Sequence, residues 1–257
     1  MAPGETDASG LTADVDVTEE GVREQGVSPR RIPQATVVRL PTYRRLLEEF
    51  GRSGLSTISS EMLAAAAHMN AAKVRKDLSL LGSFGTRGSG YDRDFLIGQI
   101  DLALGLDRVW PVVIVGMGNL GRALANSTRF AGQNFEVVAM LDADPDLVGQ
   151  EVANGVIRPF GELGAIASSR PLAIGVVTTP ADVAQDVADQ LVAAGVHSLL
   201  VFAPRVIDVP RGVMVRYVDL GIELQVMSFY QSRRERQGED HDMAVLGSVG
   251  LAGPPGD

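Results

Sequence analysis

The chain has 257 residues, 45% of them hydrophobic, and a formal net charge of −9, enough apolar material for one large core or two modest ones. It has no cysteine, which excludes disulfides, thiolate catalysis, thiol redox sensing and thiolate metal sites, and its three histidines (His68, His197, His241) are scattered, so no metal site is expected. No apolar run reaches the roughly 18 residues that span a bilayer, and the N-terminus lacks a charged start followed by an apolar stretch; a soluble, unexported, cytoplasmic protein is expected.

Residues 1–27 hold seven acids and almost no large apolar side chain, and are expected to form a disordered acidic tail. Residues 28–92 are expected to form a winged helix-turn-helix DNA-binding domain. Ile58-Ser59-Ser60-Glu61 starts a capped, alanine-rich helix, Ala67-His68-Met69 makes a turn, and Asn70 caps a second helix with Lys73, Arg75 and Lys76 in its first turns. That is helix-turn-helix spacing, and the start of such a second helix meets base edges. The glycines around Phe84 and Arg87 then read as a β-hairpin wing, with Arg87 and Gly88 at a tip suited to a minor groove. Ser59, Ser60, Asn70, Lys73, Arg75, Lys76, Arg87 and Gly88 are the candidate DNA contacts.

Both lysines of the chain, Lys73 and Lys76, fall in this segment. Residues 28–95 hold eleven Lys and Arg against six Asp and Glu, a local +5 that leaves −14 for the rest of the chain. Cations are thus concentrated where a nucleic-acid contact is expected. The plainer alternative is a small helical lobe whose basic stretch is a solvated face.

Residues 93–218 change grammar. A linking helix is expected up to Trp110, and from Pro111 β-branched runs at 112–115, 137–141, 173–177 and 199–202 alternate with helical stretches. This predicts a parallel sheet covered on both faces, a Rossmann-like α/β domain. The first run enters Gly116-Met117-Gly118-Asn119-Leu120-Gly121, a helix follows, and Asp142 ends the next strand. In that context Gly116 makes the tight turn, Gly118 lets backbone approach a pyrophosphate, and Gly121 permits close helix-to-strand packing. Asp142 would accept hydrogen bonds from the adenosine ribose, favouring NAD(H) over NADP(H). The alternative is a tight βα turn in an empty sheet.

Thr178, Thr179 and Pro180 end one strand and Phe202 ends another, at the edge where ligands bind in open α/β sheets. Phe202 reads equally as a neighbour of the nicotinamide or as core. Between Pro111 and Val218 there is no lysine, the only tyrosine is Tyr217, and His197 begins a strand at the opposite edge. Hydride transfer to a carbonyl usually needs a positioned proton donor, so no catalytic residue is assigned and sensing is favoured over catalysis. Residues 219–237 predict an apolar-striped helix (Leu220, Leu224, Met227, Tyr230) suited to a partner. Residues 238–257 read as a second disordered tail.

With both halves read, the chain resembles the redox-sensing transcriptional repressor Rex family over roughly residues 32–231. The resemblance is carried by Ile32-Pro33-Gln34-Ala35-Thr36, Arg39-Leu40-Pro41-Thr42-Tyr43, Val74-Arg75-Lys76-Asp77-Leu78-Ser79, the glycine-rich segment at 82–91, the glycine loop at 115–121, Phe202-Ala203-Pro204 and Val218-Asp219-Leu220. It implies a homodimer that binds palindromic operator DNA, with NAD(H) as regulatory ligand, NADH lowering DNA affinity and NAD+ opposing it. It also implies exchange of the C-terminal helix between protomers. Arg45 and Asp219 are candidates for a switch ion pair formed in only one dimer state.

The sequence departs from the family pattern at four places. Ser127 stands where tyrosine is usual near the nicotinamide, Val201 where asparagine precedes Phe-Ala-Pro, His68 where a turn glycine is usual, and Leu80 where tyrosine is usual. The first two predict weaker redox discrimination with adenosine binding retained. Competing readings are a repressor whose sheet binds another adenine nucleotide, such as coenzyme A, and a nicotinamide-dependent oxidoreductase with a helical accessory domain.

Overall fold

A computed structural model describes residues 32–82, 90–127, 134–153 and 155–237. The two tails, and the wing residues Phe84, Arg87 and Gly88, lie outside the described residues. The helical part comprises α1 (Gln34–Val37), α2 (Leu40–Arg52), β1 (Thr57–Ile58), α3 (Ser60–Ala66), α4 (Ala71–Ser79), β2 (Tyr91–Asp92) and α5 (Arg93–Leu104). Pro41 lies in the first turn of α2, where its missing N–H costs nothing. Side-chain caps start the next three helices: Ser59 accepts from the Met62 amide (3.1 Å), Asn70 from Ala72 (2.7 Å) and Asp92 from Phe95 (2.8 Å). Strand β2 pairs antiparallel with β1, Thr57 opposite Asp92 and Ile58 opposite Tyr91.

Leu40, Tyr43 and Leu47 of α2, Leu63 of α3, Val74 and Leu78 of α4, and Leu96 and Ile100 of α5 form one core. The linking helix therefore belongs to the helical lobe, which continues past residue 92 because α5 places its buried face there. Arg44 reinforces the contact, bonding Asp101 of α5 and, at 2.5 Å, Glu48. Gly105 ends α5 in the left-handed conformation (φ 68°), and the Trp110 indole donates to its carbonyl at 2.6 Å. The Arg108 guanidinium lies 3.9 Å from the centre of the same ring.

Asp77 occupies a position of α4 that the helical period assigns to the core, between Val74 and Leu78, and is 3% exposed. Its carboxylate accepts from the Thr36 hydroxyl (2.9 Å), from Nε and Nη2 of Arg39 (both 2.7 Å) and from the Tyr43 hydroxyl (2.9 Å). Burial pushes this carboxyl up, but the bonds from Arg39, Tyr43 and Thr36 outweigh it and hold it below the usual aspartate value. Burial, and then the bond to Asp77, raises the Tyr43 hydroxyl.

The sheet part comprises β3 (Trp110–Val115), α6 (Asn119–Ala125), β4 (Phe135–Asp142), β5 (Glu151–Val152), β6 (Gly155–Pro159), α7 (Leu163–Ser169), β7 (Ile174–Val177), α8 (Ala184–Ala193), β8 (Ser198–Val201) and β9 (Met214–Tyr217); α9 (Leu220–Gln237) ends the described chain. The order is β5-β6-β4-β3-β7-β8-β9, parallel except for β5 against β6. This is the expected parallel sheet, with two more parallel strands than the sequence runs announced. Beta6 carries Arg158 and Pro159, and β9 carries Arg216, so neither reads as a continuous apolar run.

Side chains alternate across β3 as strand geometry requires. Val113 and Val115 pack with Leu163 and Ile166 of α7 and Leu191 of α8, whereas Val112 and Ile114 pack with Met117 and with Leu124 of α6. No helix among the described residues is long and apolar enough to cross a membrane, and no group of three or more potential ligands among them could hold a metal ion.

His68, in the turn between α3 and α4, has φ 51°, so the family's glycine position keeps its left-handed geometry with a side chain in place. His68→Gly is expected to raise the unfolding free energy by ~1 kcal/mol in urea titrations. Asp77→Asn removes one side of a buried ion pair and should cost about 3–5 kcal/mol. Because the folded-state pKa of Asp77 is depressed, its contribution is complete above the unfolded aspartate value of about 3.9 and is lost as pH falls through the lower folded value. The gap in stability between the wild type and Asp77→Asn should therefore narrow in acid; a gap that stays constant with pH would locate the effect elsewhere.

Candidate functional site

The strand register sets the candidate residues in a row. Val115 pairs with Leu141 and with Val177, and Val177 with Val201, so the next residues along are Asp142, Gly116, Thr178 and Phe202. One further ladder bond at each step keeps the row aligned: the Gly116 amide to Leu141, Thr178 to Val115 and Phe202 to Val177, each 2.9 Å. The row crosses three strand spacings, about 14 Å, and its middle lies between β3 and β7, where the strand order reverses.

The three glycines of the loop differ in what surrounds them. Gly116 has φ 97°, and a Cβ there would stand 2.9 Å from the Thr178 carbonyl carbon and the Thr179 nitrogen. At Gly121 a Cβ would collide with the Gly116 carbonyl oxygen, while at Gly118 it would meet nothing within 4 Å. The first and third glycines are thus needed for the chain's own packing, and the second borders free space, as a close-approaching pyrophosphate requires. The Thr178 hydroxyl clamps the loop by donating to the carbonyls of Gly116 (2.6 Å) and Val115 (3.0 Å).

Arg122 braces the loop from the far side, through Nε to the Met117 carbonyl (2.9 Å) and Nη2 to Gln150 (2.6 Å). Neither Thr178 as a clamp nor Arg122 as a brace was assigned from sequence; an arginine directly after the third glycine was the available signal.

Two oxygens of Asp142 accept backbone amides, Met117 at 2.5 Å and Asp144 at 2.9 Å, leaving further lone pairs of each oxygen for a ligand. The Met117 side chain is fully buried in the α6-side core and its N–H is held by Asp142, so this candidate residue offers the loop its backbone alone. Asn119, Leu120 and Pro180 are exposed beside the loop. Phe202 is half-buried against the same core as Met117. Thr179 Oγ1 is the one buried side-chain polar atom without a hydrogen-bond partner among the described residues. An orphaned hydroxyl on Thr179, which lies against Gly116, together with free space at Gly118 and a carboxylate at one end of the row, fits a dinucleotide. Ser127 follows α6 and lines a separate cavity of 610 Å³ with Ala125, Val137, Met140, Gly155 and Arg158.

In the helix-turn-helix, Lys73, Arg75 and Lys76 are exposed on α4, and the ammonium groups of Lys73 and Lys76 make no bond among the described residues. Ser59 and Asn70 use their side-chain oxygens as caps. Ser60, also a candidate DNA contact, is buried; its hydroxyl donates to Glu61 Oε2 (3.2 Å) and accepts from Arg75 Nη1 (3.3 Å). Arg75 Nη1 also donates to Glu61 Oε1 at 2.7 Å, a partner not anticipated from sequence. The Glu61 carboxyl lies below its usual value through its own backbone amide and then the Ser60 and Ser59 hydroxyls.

Arg45 is exposed on α2 and forms no ion pair among the described residues. Asp219 caps α9 through Oδ1, which accepts from Gly221 (2.8 Å) and Ile222 (3.3 Å), so the expected switch pair is not made within this chain. The apolar residues of α9 are not one stripe. Leu220, Leu224 and Met227 lie on one side, Ile222, Val226 and Phe229 on the opposite side, and all are exposed. A helix apolar on two faces is built to lie between two bodies.

Residues 31–79 match the family described as a putative DNA-binding protein N-terminus, and residues 107–205 match the CoA binding domain family. The redox-sensing transcriptional repressor Rex of Streptomyces coelicolor is 54% identical over 205 residues, 80% of each chain. Rex of Streptomyces avermitilis is 50% identical over 232 residues, covering 89% of this chain and 92% of that one. Among solved structures, RSP in complex with β-NAD+ and operator DNA matches with a TM-score of 0.76 at 32% identity, over 82% of this chain and 99% of that one. RSP, a Rex-family repressor, in complex with β-NADH matches with a TM-score of 0.72 at 30% identity, over 80% and 97%. With both halves matched, the chain belongs to the Rex family of redox-sensing transcriptional repressors.

Proposed function

We propose that this chain is a homodimeric repressor that binds a palindromic operator through α3 and α4 and releases it when NADH enters the crevice at the carboxyl ends of β3 and β7. The observation that carries this reading is the pairing, in one chain, of exposed α4 cations with a glycine crevice that holds a partnerless buried hydroxyl and offers no lysine or histidine. Asp142 accepts from the adenosine ribose hydroxyls. The backbone of Gly118, Asn119 and Leu120 lies against the pyrophosphate, the Thr179 hydroxyl gains a partner, and Pro180 and Phe202 border the nicotinamide end.

The groups that an oxidoreductase would recruit are engaged elsewhere. The Tyr217 hydroxyl accepts from the Ile207 amide at 3.0 Å, and His197 precedes β8 at the sheet's amino edge. This favours a ligand that is read rather than turned over. On the DNA side, Lys73, Arg75 and Lys76 of α4 meet the major groove, with Ser59 and Asn70 holding the two helix starts and Arg87 and Gly88 of the wing at the adjacent minor groove.

Alpha9 of each protomer covers apolar surface with both of its faces on exchange, and the packing of Leu96 and Ile100 in the helical core supports a DNA-binding part that includes α5. NADH binds one dimer state better, and that state holds the two α4 helices off half-site spacing, with Arg45 and Asp219 pairing in only one of the states.

A labelled Rex-type palindromic duplex, followed by fluorescence anisotropy at fixed salt, should be released by NADH and retained with NAD+. Specific binding unaffected by either nucleotide would sink the redox reading while leaving a repressor. The glycines give an independent check on the crevice. Gly121→Ala, which drives a Cβ into backbone, should destabilise the fold by about 1–3 kcal/mol. Gly118→Ala should unfold at the wild-type urea midpoint yet bind NADH more weakly in fluorescence titrations.

A further inference from the structure

We propose that Glu61 is a specificity-determining residue of the DNA interface, a positioning residue that acts by holding Arg75; the inference rests on DNA binding through α4 as proposed above. Of the three cations exposed on α4, only Arg75 is anchored. Its Nη1 donates to Glu61 Oε1 at 2.7 Å and reaches the Ser60 hydroxyl at 3.3 Å, while that hydroxyl donates to Glu61 Oε2 at 3.2 Å. Ser60 is buried, so the small network is fixed to the body of α3 rather than floating on the surface. Nε and Nη2 of Arg75 make no bond among the described residues and keep their donors available. Lys73 and Lys76, by contrast, carry ammonium groups with no anchor.

The difference matters because the two kinds of DNA contact ask for different things. Attraction to phosphate is insensitive to sequence and grows with each uncompensated cation. Bidentate reading of a guanine edge is favoured by a planar guanidinium fork held in one orientation, a geometry that the lysine ammonium lacks. Glu61 acts on both terms. Its charge offsets one of three cations and repels phosphates, lowering affinity for arbitrary sequence, and its carboxylate orients the fork in advance, favouring a matching base. The pair itself is half-exposed on both sides, with side chains 53% and 63% accessible, so it adds little to folding and its loss leaves α3 and α4 standing.

The test uses the full-length protein and two duplexes: the one that the wild type enriches from a randomised library, and a scrambled version of it. Affinities for both are measured by anisotropy at one salt concentration for the wild type, E61Q, E61D, R75A and E61Q/R75A. E61Q should bind the scrambled duplex several-fold more tightly and lose about tenfold in the ratio of enriched to scrambled affinity. E61D, which keeps the charge, should restore most of that ratio. In the R75A background, E61Q should leave the ratio unchanged. An unchanged ratio in E61Q overturns the proposal, as does an equal loss with and without Arg75, which would mean that Glu61 acts on DNA by itself. A wild type that enriches no sequence fails at the earlier stage and overturns the operator reading separately.

Discussion

The parallel register around β3 is the constraint on which the ligand site depends. Because Val115 is paired on both sides and the ladder runs one step further on each neighbour, Asp142, Gly116, Thr178 and Phe202 reach the sheet edge together. A slip of one residue in any pair would turn the side chain at that step to the opposite face of the sheet. The apolar alternation of β3, with Val113 and Val115 facing α7 and α8 and Val112 and Ile114 facing α6, penalises such a slip twice, since both faces are buried. The close approach of Gly121 to the Gly116 carbonyl then ties α6 to that same register.

The helical lobe solves a different problem, how to present cations without a large core behind them. Its answer is a carboxylate at a core position. Asp77 gathers Thr36 and Arg39 from the start of the lobe and Tyr43 from α2, so the face of α4 opposite the cations is fixed by four directional bonds as well as by Val74 and Leu78. Such a bond set orients a helix more narrowly than apolar packing alone, because each distance and angle must be satisfied together. Asp77 and Arg39 are both within the segments that resemble the Rex family, and the structure supplies the physical reason why they occur together.

Much of this was legible in the sequence. The caps Ser59 and Asn70, the glycine loop between strand and helix and Asp142 at a strand end all follow from local rules that a single chain displays. What the sequence concealed were the choices made by tertiary contacts. Met117 sits between two loop glycines yet turns inward, because the core on the α6 side needs a long flexible side chain there. Ser60 looks like its neighbour Ser59 but faces the other way on the helix. Strand β6 carries arginine and proline and the edge strand β9 carries arginine, which periodicity reads as loop. The opposite apolar faces of α9 were visible as residue spacings, but a search for one stripe takes the first that fits.

The joint between the two cores holds the chain's only tryptophan. Trp110 opens β3, its indole N–H is bonded to the glycine that closes α5, and a guanidinium lies over its ring. The intrinsic ultraviolet emission of the folded chain therefore arises chiefly from a single indole at one hinge point, and its colour and intensity report the polarity and quenching felt there. Any rearrangement between the sheet and the helical lobe, whatever provokes it, is written into a signal that needs no label and has no second indole to dilute it.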